Sequence, residues 1–326
     1  MPYKVFVTRN IQKPGLEVLE KNGCELTIWD SADAIPYDKL IENVQGKGYD
    51  AILCMLTDKI DAKVLDAAGP QLQVVSTMSV GYEHIDLDEC KKRNIIATNT
   101  PNVSTDSVAE LTVSLLLLTS RRIKEACYAL REGQWHGWHP TWLCGTELCN
   151  KNVGIFGFGR IGYNVARRIV PFGIKQLYYH DVVEISFARD VNAHFCPTIE
   201  EMLPKIDFLC ICCNLTPQTR HRINATTMAL MKKTAIIVNT GRGGVINHDD
   251  LYDCLVKGVI QAAGLDVTEP EPLPKDHKLV KLPNCCITPH MGSNTWDSRD
   301  MMSLTAGNNI LAVFNKGHPV SSVAMP

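Results

Sequence analysis

Short runs rich in β-branched and apolar residues alternate with helical patterns along the whole chain, and that alternation leaves few folds open to it. In the first hundred residues the strand-like runs are KVFVT, CELTIWD, DAILCML, LQVVSTM and IIATN. Stretches such as GLEVLEKNG and HIDLDECKKRN separate them, with helical spacing and often a glycine at the end. The rhythm resumes at NVGIFGFG and runs through QLYYHD, DFLCICC, TAIIVNT, QAAGLDV and CCITP. It closes on NTWDSRDMMSLTAGNNILAVFNKG, which reads as one more helix. Such a pattern predicts parallel sheets with helices on both faces. At 326 residues the chain is too long for one ordinary domain, so two α/β units of similar size are expected. Before the second unit, TDSVAELTVSLLLLTSRRIKEACYALREG reads as one long apolar helix, opened by a Ser/Thr/Asp cluster and closed by basic residues.

Composition removes several classes of function. Apolar residues make up 45% of the chain, enough for a sizeable core without staples. A formal net charge of −2 offers no basic footprint for nucleic acid or an anionic membrane. No apolar run approaches the roughly 18 residues of a membrane span, MPYKVFVTRN does not read as a signal peptide, and SSVAMP carries no retention or peroxisomal address. A cytoplasmic protein is expected. The 13 cysteines form no paired C-x-x-C frame. Their densest group, Cys210, Cys212 and Cys213, lies inside an apolar run, and Cys285 and Cys286 precede a β-like ITP. They read as small buried hydrophobes, with no metal site expected.

Gly157-Phe158-Gly159-Arg160-Ile161-Gly162 is a G-x-G-x-x-G whose context matters more than its glycines. It follows the strand-like VGIF and precedes the helical YNVARRIVPFG, and Asp181 ends the next strand-like run. Gly157 permits a tight turn, Gly159 lets the backbone approach a pyrophosphate, and Gly162 allows close helix–strand packing. The helix N-terminus then offers unpaired N–H groups to the anion. A carboxylate at Asp181 accepts hydrogen bonds from the ribose hydroxyls and repels a 2′-phosphate. The following Val182, Val183 and Glu184 supply no arginine for such a phosphate, although Arg189 could come from a neighbouring loop. NADH is therefore expected over NADPH, with NADP(H) left open.

Three residues of the second half follow candidate strands: Arg242 in NTGRGG, Glu271 in DVTEPEPL and His290 in TPHMGSN. Open α/β sheets bind ligands at the carboxyl ends of their strands. Reducing a keto acid needs a cation for the carboxylate, a proton donor for the carbonyl oxygen and a group that tunes the donor. Arg, His and Glu meet those needs, with Glu269 competing with Glu271 on the residues alone.

GFGRIG, NTGRGGVIN, AAGLDVTEPEPLP and TPHMGS together resemble the D-isomer-specific 2-hydroxyacid dehydrogenases, nearly from end to end. Within the family STMSVGYEHIDLDECKKR, VAELTVSLLL and WLCG look like the glyoxylate/hydroxypyruvate reductases. The resemblance implies a Rossmann coenzyme domain, residues 104–289, inserted into a flavodoxin-like substrate-binding domain made of residues 1–103 and a C-terminal return over 290–326. It implies a homodimer that reduces glyoxylate or hydroxypyruvate, with Arg242, Glu271 and His290 as the catalytic trio. Glu271 is favoured over Glu269 because it lies five residues past Asp266 and precedes Pro-Leu. The substrate-carboxylate loop falls on Ser79, Val80 and Gly81, whose amides can form an anion nest. Cofactor contacts fall on Arg160, Ile161, Asp181, Cys213, Thr219, Thr240, Gly241, Arg242 and Asp266, with His290 beside them. Trp142 of WLCG would reach the partner's active site, or else pack at the dimer interface. The animal reductases that use NADPH have basic residues where this chain has Asp181-Val182-Val183, which is the one departure from the pattern. Phosphoglycerate or D-lactate dehydrogenase chemistry, and an NAD(H)-sensing binding protein without turnover, stand as the alternatives.

Overall fold

The computed structural model describes residues 2–319 and 321–323, and the chain divides into two compact units. One comprises Met1–Ser104 with Asn294–Pro326, the other Thr105–Ser293. The first runs β1 (Lys4–Val7), α1 (Lys13–Lys21), β2 (Glu25–Ile28), α2 (Tyr37–Val44), β3 (Ala51–Cys54), α3 (Ala62–Ala68), β4 (Val74–Thr77), α4 (Leu87–Lys92) and β5 (Ile96–Thr98). All five strands are parallel in the order β2-β1-β3-β4-β5, the flavodoxin-like arrangement. β3 and β4 are buried along their whole length; β3 (AILC) is accordingly apolar throughout rather than alternating, while β4 (VVST) closes on the buried hydroxyls of Ser76 and Thr77.

The second unit opens with α5 (Thr105–Ser120) and α6 (Ile123–Arg131). It continues through β6 (Asn152–Phe156), α7 (Arg160–Ile169), β7 (Gln176–His180), β8 (Ala193–Phe195), α8 (Ile199–Met202) and β9 (Phe208–Ile211). α9 (Ala225–Met228), β10 (Ile236–Asn239), α10 (His248–Val256), β11 (Ala262–Leu265) and β12 (Cys285–Ile287) complete it. Its seven strands are parallel in the order β12-β11-β10-β9-β6-β7-β8. The order reverses between β6 and β9, as in a Rossmann sheet, and ligands bind in the crevice at such a switch point. Cys210 and Cys285 are fully buried in this sheet and Cys286 nearly so. Among the described residues no helix is long and apolar enough to cross a membrane.

Three readings of the sequence need correction. The cysteines are not all buried: Cys127, Cys144 and Cys149 are exposed, and Cys212 and Cys213 are half-buried. The long apolar helix is two helices, because Arg122 takes a left-handed conformation (φ 54°) and ends the continuous ladder. Its guanidinium then pairs with Glu125 one turn into α6. The strand β8 has no counterpart among the strand-like runs; its AHF is short and only partly buried, so it carries little periodic signal.

The last helix, α11 (Trp296–Phe314), belongs to the first unit and packs on α1. The Ser303 hydroxyl donates to the Gln12 carbonyl at 2.6 Å and accepts the Gly15 amide at 3.0 Å. The helices meet so closely that a Cβ on Gly15 would lie 2.2 Å from the Ser303 carbonyl oxygen. Alanine there would gain about 1 kcal/mol of helix propensity, yet forcing extra volume into a packed contact costs about 1–3 kcal/mol. The obstacle is backbone, which cannot swing aside, so Gly15→Ala is expected to lower the urea midpoint of unfolding. A midpoint at or above wild type would show that α1 and α11 separate at no cost.

Candidate active site

The glycine loop bridges the end of β6 and the start of α7. Gly157 has φ 91°, and a Cβ there would sit 2.6 Å from the backbone of Cys213, the second residue past β9. A Cβ on Gly162 would lie 2.2 Å from the Gly157 carbonyl, so only glycine lets α7 start this close to the turn. Around Gly159, by contrast, a Cβ would meet nothing within 4 Å. The loop thus combines two closed glycines with one open one, the cradle a dinucleotide pyrophosphate requires. Asp181 follows β7 and accepts the Phe158 amide at 2.6 Å and the Val182 amide at 2.7 Å, so its carboxylate stands at the rim of the cradle.

The other expected cofactor contacts scatter around that cradle. Arg160 is exposed at the first position of α7 and Ile161 is partly buried behind it. Thr219 closes a turn by donating to the Asn214 carbonyl at 2.7 Å. Thr240 shares a 2.7 Å hydroxyl contact with Thr112 on α5, and a Cβ on Gly241 would lie 2.6 Å from the Cys213 carbonyl oxygen.

Arg242, Glu271 and His290 rise from three loops at the carboxyl ends of β10, β11 and β12, which are neighbours in the sheet. His290 Nδ1 hydrogen-bonds to Glu271 Oε1. Glu271 Oε2 accepts the Thr268 amide at 3.2 Å. Burial pushes the Glu271 carboxyl upward, but the bond to His290, the Thr268 amide and the Arg242 charge outweigh it, and the group lies below its ordinary value. Folding thus gains from this pairing at neutral pH and loses the gain as pH falls through the depressed value. As an ionised carboxylate Glu271 only accepts, so Nδ1 carries the proton and Nε2 is the ring nitrogen left for a ligand. The backbone of Arg242 is held by Asn239, which donates to its carbonyl at 2.9 Å and accepts the Gly241 amide at 3.0 Å.

Asp266 organises the His290 loop from below. It is buried, and its carboxylate accepts the Thr288 hydroxyl at 2.6 Å, the Met291 amide at 2.7 Å and the Gly292 amide at 2.8 Å. Its carbonyl accepts the His290 amide at 2.9 Å. Glu269 is drawn elsewhere: it pairs with Arg220 and His221, each at 2.9 Å, and the His221 bond leads in holding its carboxyl below the ordinary value. Of the two acids in EPEP, Glu271 is the one bonded to the histidine. Sequence reasoning passed over Asn239, Thr268 and Thr288. A signal existed for Asn239, a lone polar residue closing the otherwise apolar strand IIVN.

In the first unit, Ser79, Val80 and Gly81 follow β4. The carbonyls of these three residues are all engaged, by the Thr100 amide at 2.9 Å, Asn99 Nδ2 at 2.8 Å and the Ser79 hydroxyl at 2.6 Å. Among the described residues the amides of Val80 and Gly81 donate to no protein acceptor. Trp142 lies in the second unit within the segment after α6, partly exposed, with its ring edge-on to His139 at 6.1 Å.

Residues 113–292 match the family described as D-isomer specific 2-hydroxyacid dehydrogenase, NAD binding domain. The chain is similar to the glyoxylate reductase/hydroxypyruvate reductase of Homo sapiens, with 47% identity over 98% of this chain and 97% of that one. It is 44% identical to the glyoxylate reductase of Thermofilum pendens, over 98% of this chain and 94% of the relative. Among solved structures it resembles the NADPH-dependent glyoxylate/hydroxypyruvate reductase of Sinorhizobium meliloti in complex with NADP and malonate. That likeness has a TM-score of 0.87 at 30% identity and covers 100% of this chain and 98% of the other. The chain belongs to the D-isomer specific 2-hydroxyacid dehydrogenase family, and its second unit carries the family's NAD(P)-binding domain.

Proposed function

We propose that this protein reduces glyoxylate or hydroxypyruvate to the corresponding D-2-hydroxy acid, with NADH preferred over NADPH. The observation that carries the reading is the His290–Glu271 pair with Arg242 on adjacent strand ends of the unit that holds the glycine cradle. The human and archaeal relatives, both named as glyoxylate reductases, support the substrate class.

The cradle of Gly157, Gly159 and Gly162, with Asp181 at its rim, suits NAD(H), which when bound supplies the hydride for the keto carbon. The Arg242 guanidinium is assigned to the substrate carboxylate. In the first unit, taken by itself, the amides of Val80 and Gly81 are assigned to carboxylate recognition as an anion nest. His290, protonated on both nitrogens, donates from Nε2 to the oxygen that gains negative charge. Glu271 holds the ring through Nδ1 and stabilises its charged form. For oxidation His290 must begin neutral and take the proton, so the two directions have opposite pH dependence.

His290→Ala is expected to lower kcat/KM for reduction by at least about 100-fold. Glu271→Gln keeps an acceptor but removes the charge, so the loss of reduction with rising pH should begin at lower pH than in wild type. Superimposable pH profiles for the two enzymes would remove Glu271 from the tuning role.

Absorbance at 340 nm with each keto acid against NADH and NADPH tests the substrate and cofactor together. NADH is expected to turn over faster, and Asp181→Ala should narrow that preference by about 10-fold, the scale of a charge-assisted hydrogen bond. A wild type that works only with NADPH would overturn the argument from Asp181.

The dimer is part of the same reading. Tyr128, Leu130, Trp135 and Trp138 are each more than half exposed in the segment that carries Trp142, an apolar surface that a second copy would cover. Sedimentation is expected to give a dimer, and Trp142→Ala to raise the KM for the keto acid. A monomeric wild type would sink the assignment of Trp142 to a partner's site.

A further inference from the structure

The expected carboxylate loop of the first unit is built around a chain of side chains that the mechanism above leaves unused. Thr77 ends β4 and is fully buried; Ser79 is nearly so. His84 stands in the turn before α4, partly buried. His84 Nε2 lies 2.9 Å from Thr77 Oγ1, Thr77 Oγ1 lies 2.8 Å from Ser79 Oγ, and Ser79 Oγ lies 2.6 Å from the Gly81 carbonyl oxygen.

Counting protons gives this chain a single direction. A carbonyl oxygen only accepts, so the one hydroxyl proton of Ser79 goes to Gly81. Ser79 Oγ must then accept from Thr77, which spends the one hydroxyl proton Thr77 has. Thr77 Oγ1 in turn must accept from His84, which fixes a proton on Nε2. That proton is present both in the neutral ring of this tautomer and in the imidazolium, so the chain persists whichever form His84 adopts.

The bond at the far end sets a peptide plane. In a trans peptide the N–H points opposite the C=O, so a pinned carbonyl aims the amide of the next residue. Ser79 Oγ pins the Gly81 carbonyl, Asn99 pins that of Val80, and the Thr100 amide pins that of Ser79. Three successive peptides are thereby oriented and the directions of the Val80, Gly81 and Tyr82 amides are set. The Ser79 hydroxyl is committed inside the loop, so it is the loop's brace rather than a ligand contact.

We propose that Thr77 and His84 are positioning residues for the keto-acid carboxylate, acting through Ser79 to fix the Gly81–Tyr82 peptide that closes the loop, so that the Val80 and Gly81 amides before it keep their anion-receiving direction. The inference rests on the functional reading above and adds residues that never touch substrate. Such a role acts on substrate affinity. It leaves untouched the coenzyme cradle, which belongs to the other unit, and the proton transfer from His290.

The test compares Thr77→Val, which keeps the shape and removes the hydroxyl, with Thr77→Ser, which keeps the hydroxyl. Thr77→Val is expected to raise the KM for glyoxylate about 5- to 100-fold, the range for a broken buried hydrogen bond, with kcat changed much less. NADH affinity, read by fluorescence titration, should match wild type and certifies that the variant is folded. Thr77→Ser should restore KM to within about 2-fold of wild type. Ring NMR of histidine-labelled wild type should show the His84 proton on Nε2. A Thr77→Val enzyme with wild-type KM, a serine variant as impaired as the valine one, or a neutral His84 ring protonated on Nδ1 would each overturn the positioning role alone. A wild type that turns over neither keto acid would instead remove the functional reading and this role with it.

Discussion

The candidate site depends on one buried charge. Asp266, at the end of β11, is nearly inaccessible, and a carboxylate in that position is costly unless its oxygens are satisfied. The donors come from the loop after β12: the Thr288 hydroxyl and the Met291 and Gly292 amides. To supply them the chain must fold back over the end of β11. His290 is held at the apex of that turn with φ 54°, a conformation a non-glycine residue keeps only when its surroundings impose it. Burying Asp266 therefore gives His290 a fixed perch. Glu271, whose loop begins at the same strand end, is then within reach of Nδ1.

This arrangement needs parallel neighbours. Because β10, β11 and β12 run the same way and adjoin in the sheet, the loops carrying Arg242, Glu271 and His290 leave from one edge, as does the glycine loop after β6. An antiparallel strand among them would send one of the three groups to the opposite edge. The continuous apolar runs that allow burial on both faces of the sheet thus also place the chemistry. Core and site are consequences of one pattern.

That is why the trio is legible in the residues themselves. Each of the three follows a strand whose apolar run announces it, and the direction of a parallel sheet converts position along the chain into position in space. The glycine loop is legible because steric closure at Gly157 and Gly162 admits no other residue. The features that no local pattern marks have the opposite character. The break at Arg122 has no glycine or proline beside it, and the flanking Thr-Ser-Arg and Ile-Lys-Glu carry no turn signal that would mark it. Asp266 reads as a cofactor contact, while in the structure its oxygens accept three donors of a loop more than twenty residues on. Such pairings depend on which loops a sheet brings together, and no local spacing records them. Glu269 and Glu271 differ by two positions in a repeated Glu-Pro, and only the location of Arg220 and His221 sends the first away from His290.

Both units present backbone N–H groups at the carboxyl ends of their strands, and they reach that state by different physics. In the second unit the amides are left over by a helix start, where the first turn of α7 has no intrahelical acceptors to offer and glycine keeps side chains out of the way. In the first unit the Val80 and Gly81 amides belong to no helix. Their freedom has to be built by occupying the carbonyls around them, one bond each from Thr100, Asn99 and Ser79. A helix terminus supplies its anion site from regular structure alone, so residues near it can vary in side chain as long as the glycines stay. A loop site made by pinned carbonyls depends instead on particular side chains. Those are Asn99, Ser79 and the buried Thr77 and His84 behind them, where each hydroxyl has one proton to give and one place to give it. The first unit therefore ties the direction of these amides to specific side chains, and the second ties that of its own to backbone shape.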